Sequence, residues 1–268
     1  MNVELYDHEF TRFCQLIYRI AGISLSDTKK TLVSNRLVKR LRYHGLSSFG
    51  EYFQLIDSGR QPEEVQILVD LLTTNETFFF REQAHFDYLK NIVLPEFTHS
   101  RNLRVWSAAS STGQEACTVA MVLASGLSKG NWEILASDIS TRVLVTARSG
   151  QYPLEQAKNI PVRYLKQYCL KGIGPEEGTF LIDRELHRKI EFRQINLNDT
   201  LPYLGEFDLV FLRNVMIYFD SRTKREVVLR ILQCMRNGAY LFIGHSENLN
   251  GVVEGLQLVA PSIYRLQK

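Results

Sequence analysis

LRVWSAASSTGQEACTVAMVLASG, Leu103–Gly126, is the stretch whose reading decides the fold. Its first eight residues, LRVWSAAS, read as a strand. STGQEACTVAMVLASG then reads as a loop entering a helix. The joint is made of small residues and contains Gly113. A strand, a small-residue turn and a helix start open a nucleotide-type crevice, because small residues let the backbone approach a ligand at the carboxyl end of the first strand. The turn is not GxGxxG, which weakens a dinucleotide reading. It lacks the GK[ST] of a P-loop, which argues against a nucleoside triphosphate. A tight strand–helix turn without a ligand is the plain alternative.

Downstream the same grammar repeats. WEILASDIS is a second strand ending on Asp138, and TRVLVTARSG is helical. KIEFRQINLND and FDLVFLRNVMIYF are strand-like with polar ends. SRTKREVVLRILQCMRNG is a helix and AYLFIGHSE a strand, and LQLVAP with SIYRLQ forms a final antiparallel pair. Strands alternating with helices imply right-handed crossovers and a mostly parallel sheet, hence an α/β fold. Between Tyr164 and Ile190 the rhythm breaks: two short strand-like pieces flank the Gly-rich turn GIGPEEG, an inserted antiparallel hairpin unit.

Upstream, to about Leu72, the chain reads as four short helices. EFTRFCQLIYRIAG repeats apolar residues at Phe10, Phe13, Ile17 and Ile20 and stops at Gly22. Ser26 or Asp27 is positioned to cap the next helix, Gly45 to end it, and Pro62 suits the first turn of the fourth. The predicted organisation is a helical domain over 1–72, a linker and helix over 73–100, and an α/β domain over 101–268 with its β-subdomain at about 164–190.

The formal charge of +3 hides an asymmetry. Thr28 to Gly50 holds Lys29, Lys30, Arg36, Lys39, Arg40 and Arg42 and no acid. Subtracting those six from +3 leaves −3 for the remainder. At 100° per residue Lys29, Arg36 and Arg40 share one helix face with Lys39 beside them, next to an apolar stripe of Val33, Leu37 and Leu41. The acid-free run favours docking an acidic partner, with a solvated face as the bland alternative. Cys14, Cys117, Cys169 and Cys234 form no CxxC pair, and the histidines show no HxxxH spacing. That argues against a disulfide framework or a zinc site and fits a reducing compartment. No apolar run approaches the roughly 18 residues of a membrane span, and the start lacks a signal-peptide core, so the expectation is a cytoplasmic protein.

Candidate ligand contacts gather where strands end. Asp138 sits where a carboxylate accepts from ribose hydroxyls, and capping the following helix is its alternative role. Arg213 and Asn214 end a buried strand, Tyr218 follows four residues later, and Asn196 ends another strand at the same edge. LTTNETFFFREQAHF, Leu72–Phe86, places three phenylalanines beside Asn75, Thr77 and Arg81. Three successive rings fit neither one helix face nor an alternating strand, which leaves their arrangement open.

With LTTNETFFFRE, SAASSTGQE, ASDIS, FLRNVMIYFD and GHSEN in this order, the chain resembles the bacterial chemotaxis receptor methyltransferases of the CheR type, over almost its whole length. The resemblance implies a Rossmann-like class I methyltransferase domain, a small helical N-terminal domain and an inserted antiparallel β-subdomain. It implies methyl transfer from S-adenosylmethionine to glutamate side chains of chemoreceptors, leaving S-adenosylhomocysteine, without a metal. Family cofactor contacts carry over to Asn75, Thr77, Arg81, Glu115, Asp138, Asn196, Leu197, Arg213 and Asn214. Tyr218 matches a residue near the methyl-transfer point, and Arg81 and Tyr218 are the candidates for orienting the carboxylate or cofactor in catalysis. Lys29, Arg36, Lys39, Arg40 and Arg42 become candidates for docking receptor helices. Gly172, Gly174 and Gly178 resemble the glycine-bearing loop with which some members bind a receptor C-terminal peptide. The family's paired glutamates followed by Pro-Tyr-Ser are here Gln114, Glu115, Ala116, Cys117 and Thr118, so one acid is kept. Nucleic acid and membrane insertion are not expected. The rival readings are an RNA or small-molecule methyltransferase and a non-catalytic cofactor-binding adaptor.

Overall fold

The computed structural model describes residues 3–97, 102–127 and 131–268. The expected boundary between linker and α/β domain, at 100/101, lies outside the described residues. Four helices come first: α1 (Asp7–Ala21), α2 (Lys30–His44), α3 (Phe49–Asp57) and α4 (Pro62–Leu72). Their apolar stripes meet in one core of Phe13, Ile17, Val33, Leu37, Leu41, Tyr52 and Leu68. A 3₁₀ turn over Asp27–Lys29 precedes α2, and Pro62 takes the first position of α4, where its missing N–H costs nothing. Gly22 ends α1 at φ +69°, a left-handed conformation, and a Cβ there would lie 2.5 Å from Thr223 Cγ2. Glycine is therefore required twice over, by conformation and by the close approach of the α/β domain.

After the linker, α5 (Gln83–Tyr88) runs into a π-turn at Leu89–Val93 and a 3₁₀ turn at Leu94–Phe97. The α/β domain then unfolds in order: β1 (Leu103–Ser107), α6 (Gln114–Gly126), β2 (Trp132–Asp138), α7 (Thr141–Ser149), β3 (Gln151–Pro153), α8 (Val162–Tyr168), β4 (Cys169–Lys171), β5 (Thr179–Ile182), α9 (Arg184–His187), β6 (Ile190–Gln194), β7 (Phe207–Leu212), α10 (Ser221–Gln233), β8 (Met235–Ile243), β9 (Leu256–Ala260) and β10 (Ile263–Leu266). The main sheet has the order β6-β2-β1-β7-β8-β10-β9. Its first five strands are parallel, and β10 runs antiparallel to β8 and β9. The chain winds outward from β1 to β2 and β6, then returns to β7 on the other side. The switch point, where a crevice opens at the strand carboxyl ends, lies between β1 and β7. β7, FDLVFL, is buried along its entire length, as a central parallel strand covered on both faces must be.

The inserted unit is larger than the sequence pattern suggested. β4 and β5 form the expected antiparallel pair, but β3 joins the other side of β5, giving the order β3-β5-β4. β3 begins at Gln151, before the expected start near 164. Three residues ending in proline carry too little periodicity to be read. What holds β3 is the pairing of Tyr152 opposite Phe180, both fully buried.

Candidate active site

Six segments converge on a cleft at the carboxyl ends of β1, β2 and β7 that opens partly to solvent. The β1–α6 turn forms its floor. Ser111 (φ +49°) and Gly113 (φ +93°) turn the backbone sharply, so that Ser111 N–H donates to Asp138 at 2.8 Å. The second Asp138 oxygen accepts from Ser140 N–H at 2.9 Å. Burial pushes the Asp138 carboxyl above its ordinary pKa, and these backbone N–H groups oppose that shift. The cap-like contact to Ser140 and a place in the cleft wall therefore coexist. Each carboxylate oxygen can accept more than one hydrogen bond, so hydroxyl donors can still be taken.

The wall from β7 is built on a buried ion network. Arg213 donates to Glu115 at 2.8 Å and to Glu82 at 3.0 Å, with a further bond to the Arg81 carbonyl. Ser107 Oγ donates to the other Glu115 oxygen at 2.7 Å. Buried and paired in this way, Glu115 and Arg213 fix one another, and removing one partner strands the other's charge. Arg213 Nε is buried without a hydrogen-bond partner among the described residues, a donor that a bound acceptor would satisfy.

The linker forms the roof. Phe78 is 40 % exposed and lines the cleft, whereas Phe79 and Phe80 are core. Phe79 meets Tyr152 edge-on at 5.0 Å between ring centroids, and Phe80 stacks on Tyr164 at 5.1 Å. The three rings therefore divide as one to the pocket and two to the core. The two buried rings anchor the linker to the β-subdomain, which points Asn75, Thr77 and Arg81 at the cleft. Ser111 Oγ donates to the Asn75 carbonyl at 2.7 Å, closing roof onto floor. Arg81 donates to the Glu76 carbonyl at 2.9 Å and lies over Phe78. It makes no salt bridge among the described residues, so its charge is open to an anionic ligand.

The helical domain supplies the last side. Ala21 and Ile23 line the cleft opposite Tyr218 and Phe219. Ser24 N–H donates to the Tyr218 carbonyl at 2.8 Å, and Ile23 bridges Phe219. Asn196 turns its amide nitrogen to the Ile20 carbonyl at 2.7 Å and to Asp199 at 2.8 Å, while Leu197 is buried beside it. Asn75, Thr77, Arg81, Glu115, Asp138, Asn196, Leu197, Arg213, Asn214 and Tyr218 all line this one cleft. The residues fit S-adenosylmethionine: a carboxylate at the end of β2 for a diol, a small-residue turn at Ala108, Ala109 and Ser111, an orphaned donor at Arg213 and apolar lining at Phe78 and Ile23.

Residues 75–264 match the family described as CheR methyltransferase, SAM binding domain, and residues 8–73 match CheR methyltransferase, all-alpha domain. The chain belongs to the CheR methyltransferase family. It is 43 % identical over 272 residues to the chemotaxis protein methyltransferase of Escherichia coli, and 42 % over 274 residues to that of Salmonella typhimurium. Each comparison covers 100 % of this chain and 93 % of the relative. The protein of the same name from Borreliella burgdorferi is 36 % identical over 276 residues, covering 99 % of this chain and 96 % of the relative. The chain is thus a SAM-dependent methyltransferase of the CheR type, and the cleft lies within the stretch that matches the SAM binding domain, save for Ala21, Ile23, Thr73 and Thr74. Where this member departs from the usual paired glutamates, Gln114 bonds Gln156 at 3.0 Å and Cys117 packs 3.8 Å from the Tyr152 hydroxyl. Both point at the β-subdomain and away from the cleft.

The expected basic docking face divides in two. Arg36 sends Nη1 to the carbonyls of Leu71, Leu72 and Thr73 at 3.1, 3.2 and 3.0 Å, at the end of α4 where the linker begins. Arg40 makes a two-pronged pair with buried Glu64, both contacts 2.7 Å, and Tyr52 donates to the same carboxylate. Burial pushes Glu64 up, but hydrogen bonds from Arg40, Tyr52 and His44 outweigh it and hold the carboxyl below its ordinary range. These two arginines are spent inside the protein, because the ends of α4 lie directly across from them. Lys29, Lys39 and Arg42 stay exposed. Gly174 (φ +59°) and Gly178 (φ +85°) shape the β4–β5 turn, and a Cβ on Gly172 would sit 2.0 Å from the Glu176 carbonyl oxygen.

Two carboxylates of this site were not singled out from sequence. Glu82 carries Arg213 and Asn214, and Glu247, in the GHSEN motif, carries the backbone beyond β7. The quoted motifs contain both, but only the fold shows what they hold. Glu82 also stands near His85 and His245, with one ligating atom of each within 4.8 Å of the others. A cation there would share Glu82 with the Arg213 guanidinium 3.0 Å away, so charge repulsion opposes metal binding.

Proposed function

We propose that this cleft transfers the methyl group of S-adenosylmethionine to glutamate side chains of chemoreceptors in the cytoplasmic compartment, giving glutamate methyl esters. The observation that carries the reading is the cleft lined by all ten residues that match family cofactor and transfer positions, Arg81 and Tyr218 among them. Bound S-adenosylmethionine supplies an activated methyl group, which a glutamate ionised near neutrality (pKa roughly 4.3) takes without a general base. The chain's own work is alignment and water exclusion. Phe78, Ile23 and Phe219 make part of the wall apolar, and a dry wall favours a step in which opposite charges cancel. Arg81 positions an anion in the cleft; a tight ion pair would blunt a nucleophile, so its bond to the Glu76 carbonyl suits orientation over activation. Holding reactants in register is worth roughly 7–11 kcal/mol in favourable cases.

Receptor contact is assigned to two surfaces. Lys29, Lys39 and Arg42 on and before α2 face an acidic helix, and the open edge of β4, with Leu170 and Ile173 exposed, accepts an extended peptide as a fourth strand. The test is transfer of labelled methyl from S-adenosylmethionine into receptor protein, with release by mild base as an ester requires. Label that stays base-stable, or that enters RNA, would overturn the proposal. Binding of a receptor C-terminal peptide, measured with wild type and a loop replacement over Gly172–Gly178, tests the β4 edge separately.

A further inference from the structure

We propose that Glu247 and Glu82 are paired positioning residues that lock Asn214 into the cofactor wall and leave its side-chain oxygen as the atom offered to the cofactor. The proposal rests on the cofactor reading of the cleft and goes beyond it, since neither carboxylate lines the cleft itself.

Asn214 stands at the exit of β7 with φ +57°, a left-handed conformation that a non-glycine residue holds only when its surroundings impose it. Glu247 imposes it on the backbone. One of its oxygens accepts from Asn214 N–H at 3.0 Å and from Gly244 N–H at 2.7 Å; the other accepts from Met216 N–H at 2.8 Å. Met216 opens the 3₁₀ turn that carries Tyr218, so one buried carboxylate sets both Asn214 and the tyrosine. Gly244 makes the approach feasible, because a Cβ there would sit 2.5 Å from Asn214 Nδ2 and 3.0 Å from Glu247.

Glu82 imposes the side-chain orientation. Its Oε1 accepts from Asn214 Nδ2 at 3.2 Å and from His245 N–H at 3.2 Å, while Oε2 holds Arg213. An ionised carboxylate accepts and cannot donate, so the amide must turn its nitrogen to Glu82. The oxygen then remains for the cleft that Asn214 lines. This wall therefore reads a hydrogen-bond donor, an ammonium or a hydroxyl, and disfavours a carboxylate. The two carboxylates come from the linker and the β8–β9 connection, so β7's exit is held from both sides.

The test uses the full chain and calorimetric titration with S-adenosylmethionine, alongside steady-state kinetics. Glu247→Gln puts an N–H donor among N–H donors and should weaken cofactor binding roughly 10- to 100-fold, the range for buried donors left unmet. Glu247→Asp, which keeps the charge at shorter reach, should recover part of that loss. Asn214→Ala combined with Glu247→Gln should cost clearly less than the product of the two single effects. Thermal melting is followed in parallel, with titrations run where each variant is folded. A Glu247→Gln protein that melts lower but binds cofactor normally overturns the proposal, as do multiplicative effects in the double variant. Wild type without cofactor binding would remove the cofactor reading and the proposal together.

Discussion

Replacing Arg36 by alanine should weaken cofactor binding, although Arg36 lies on the helix that sequence alone assigns to receptor docking. Its Nη1 carries two protons shared among three carbonyls at 3.0 to 3.2 Å. A hydrogen bond to a charged group nets about 1.5–3 kcal/mol. Sharing and half-exposure reduce two such bonds to a total of roughly 2–3 kcal/mol. The linker keeps other anchors, Phe79 and Phe80 in the core and the Ser111 bond to Asn75, so only part of the loss reaches the roof of the cleft. A transmitted share of about 1–2 kcal/mol corresponds to a roughly 5- to 30-fold weaker Kd for S-adenosylmethionine. Burial and the neighbouring Arg142 lower the Arg36 pKa, but a guanidinium stays charged in any practical buffer, so the effect should not vary between pH 6 and 9. Arg36→Lys, a point charge without the planar fork, should recover only part of the affinity. Calorimetry with cofactor and steady-state kinetics with receptor read the two roles apart. Unchanged cofactor affinity with a raised KM for receptor would refute the reasoning and return Arg36 to the docking face.

Reversing Lys29, Lys39 and Arg42 together to glutamate should do the opposite, raising KM for receptor several-fold, more at low salt, while cofactor affinity holds; an unchanged KM would make these charges a solvated face. Asp138→Ala should weaken S-adenosylmethionine binding by roughly 10-fold or more through lost carboxylate hydrogen bonds, and wild-type affinity by calorimetry would end the ribose assignment. Gly113→Ala forces a Cβ to 2.9 Å from the Tyr152 hydroxyl at φ +93°, so melting temperature and cofactor affinity should fall together, and a normal melting curve would show that the turn yields. Burial, with Arg213 nearby, pushes His85 down to about 3 from an ordinary 6.5. The folded pKa is depressed, so the unfolded chain binds the extra proton between those values; stability is intact above 6.5 and erodes as pH falls towards 3, by about 2 kcal/mol between pH 7 and 5. Urea titrations of wild type and His85→Phe should differ in that window, and parallel pH profiles would rule His85 out as the source.

Much of the architecture is written in local patterns. The run from Leu103 to Gly126 has one period before Ser107 and another after Gly113, and β7 is a continuous apolar block, so strand, turn and helix follow without tertiary information. The cleft residues were legible because open α/β sheets place ligands at strand ends, and motif resemblance then named them individually. What failed to show depends on pairing across long separations. Nothing in the three residues of β3 announces that Tyr152 will face Phe180. Arg36 and Arg40 look like docking charges until α4 returns to offer its carbonyls and Glu64. Asn196 carries the right amide for a cofactor, yet the amide nitrogen pins Ile20, 176 positions earlier. Glu82 and Glu247 lie 165 positions apart and become partners only around Asn214.

The stitching of Ser24 to Tyr218, Ile23 to Phe219 and Asn196 to Ile20 has a consequence for engineering. On the proposed assignment of receptor docking to α2 and of the cofactor to the cleft, receptor choice cannot be transplanted by exchanging the helical segment as a cassette, because its trailing edge is also brickwork of that cleft. A chimera with a foreign segment would inherit new recognition and a breached wall together. Residues 20–24 must travel with the recipient catalytic half, even when α2 is taken from the donor.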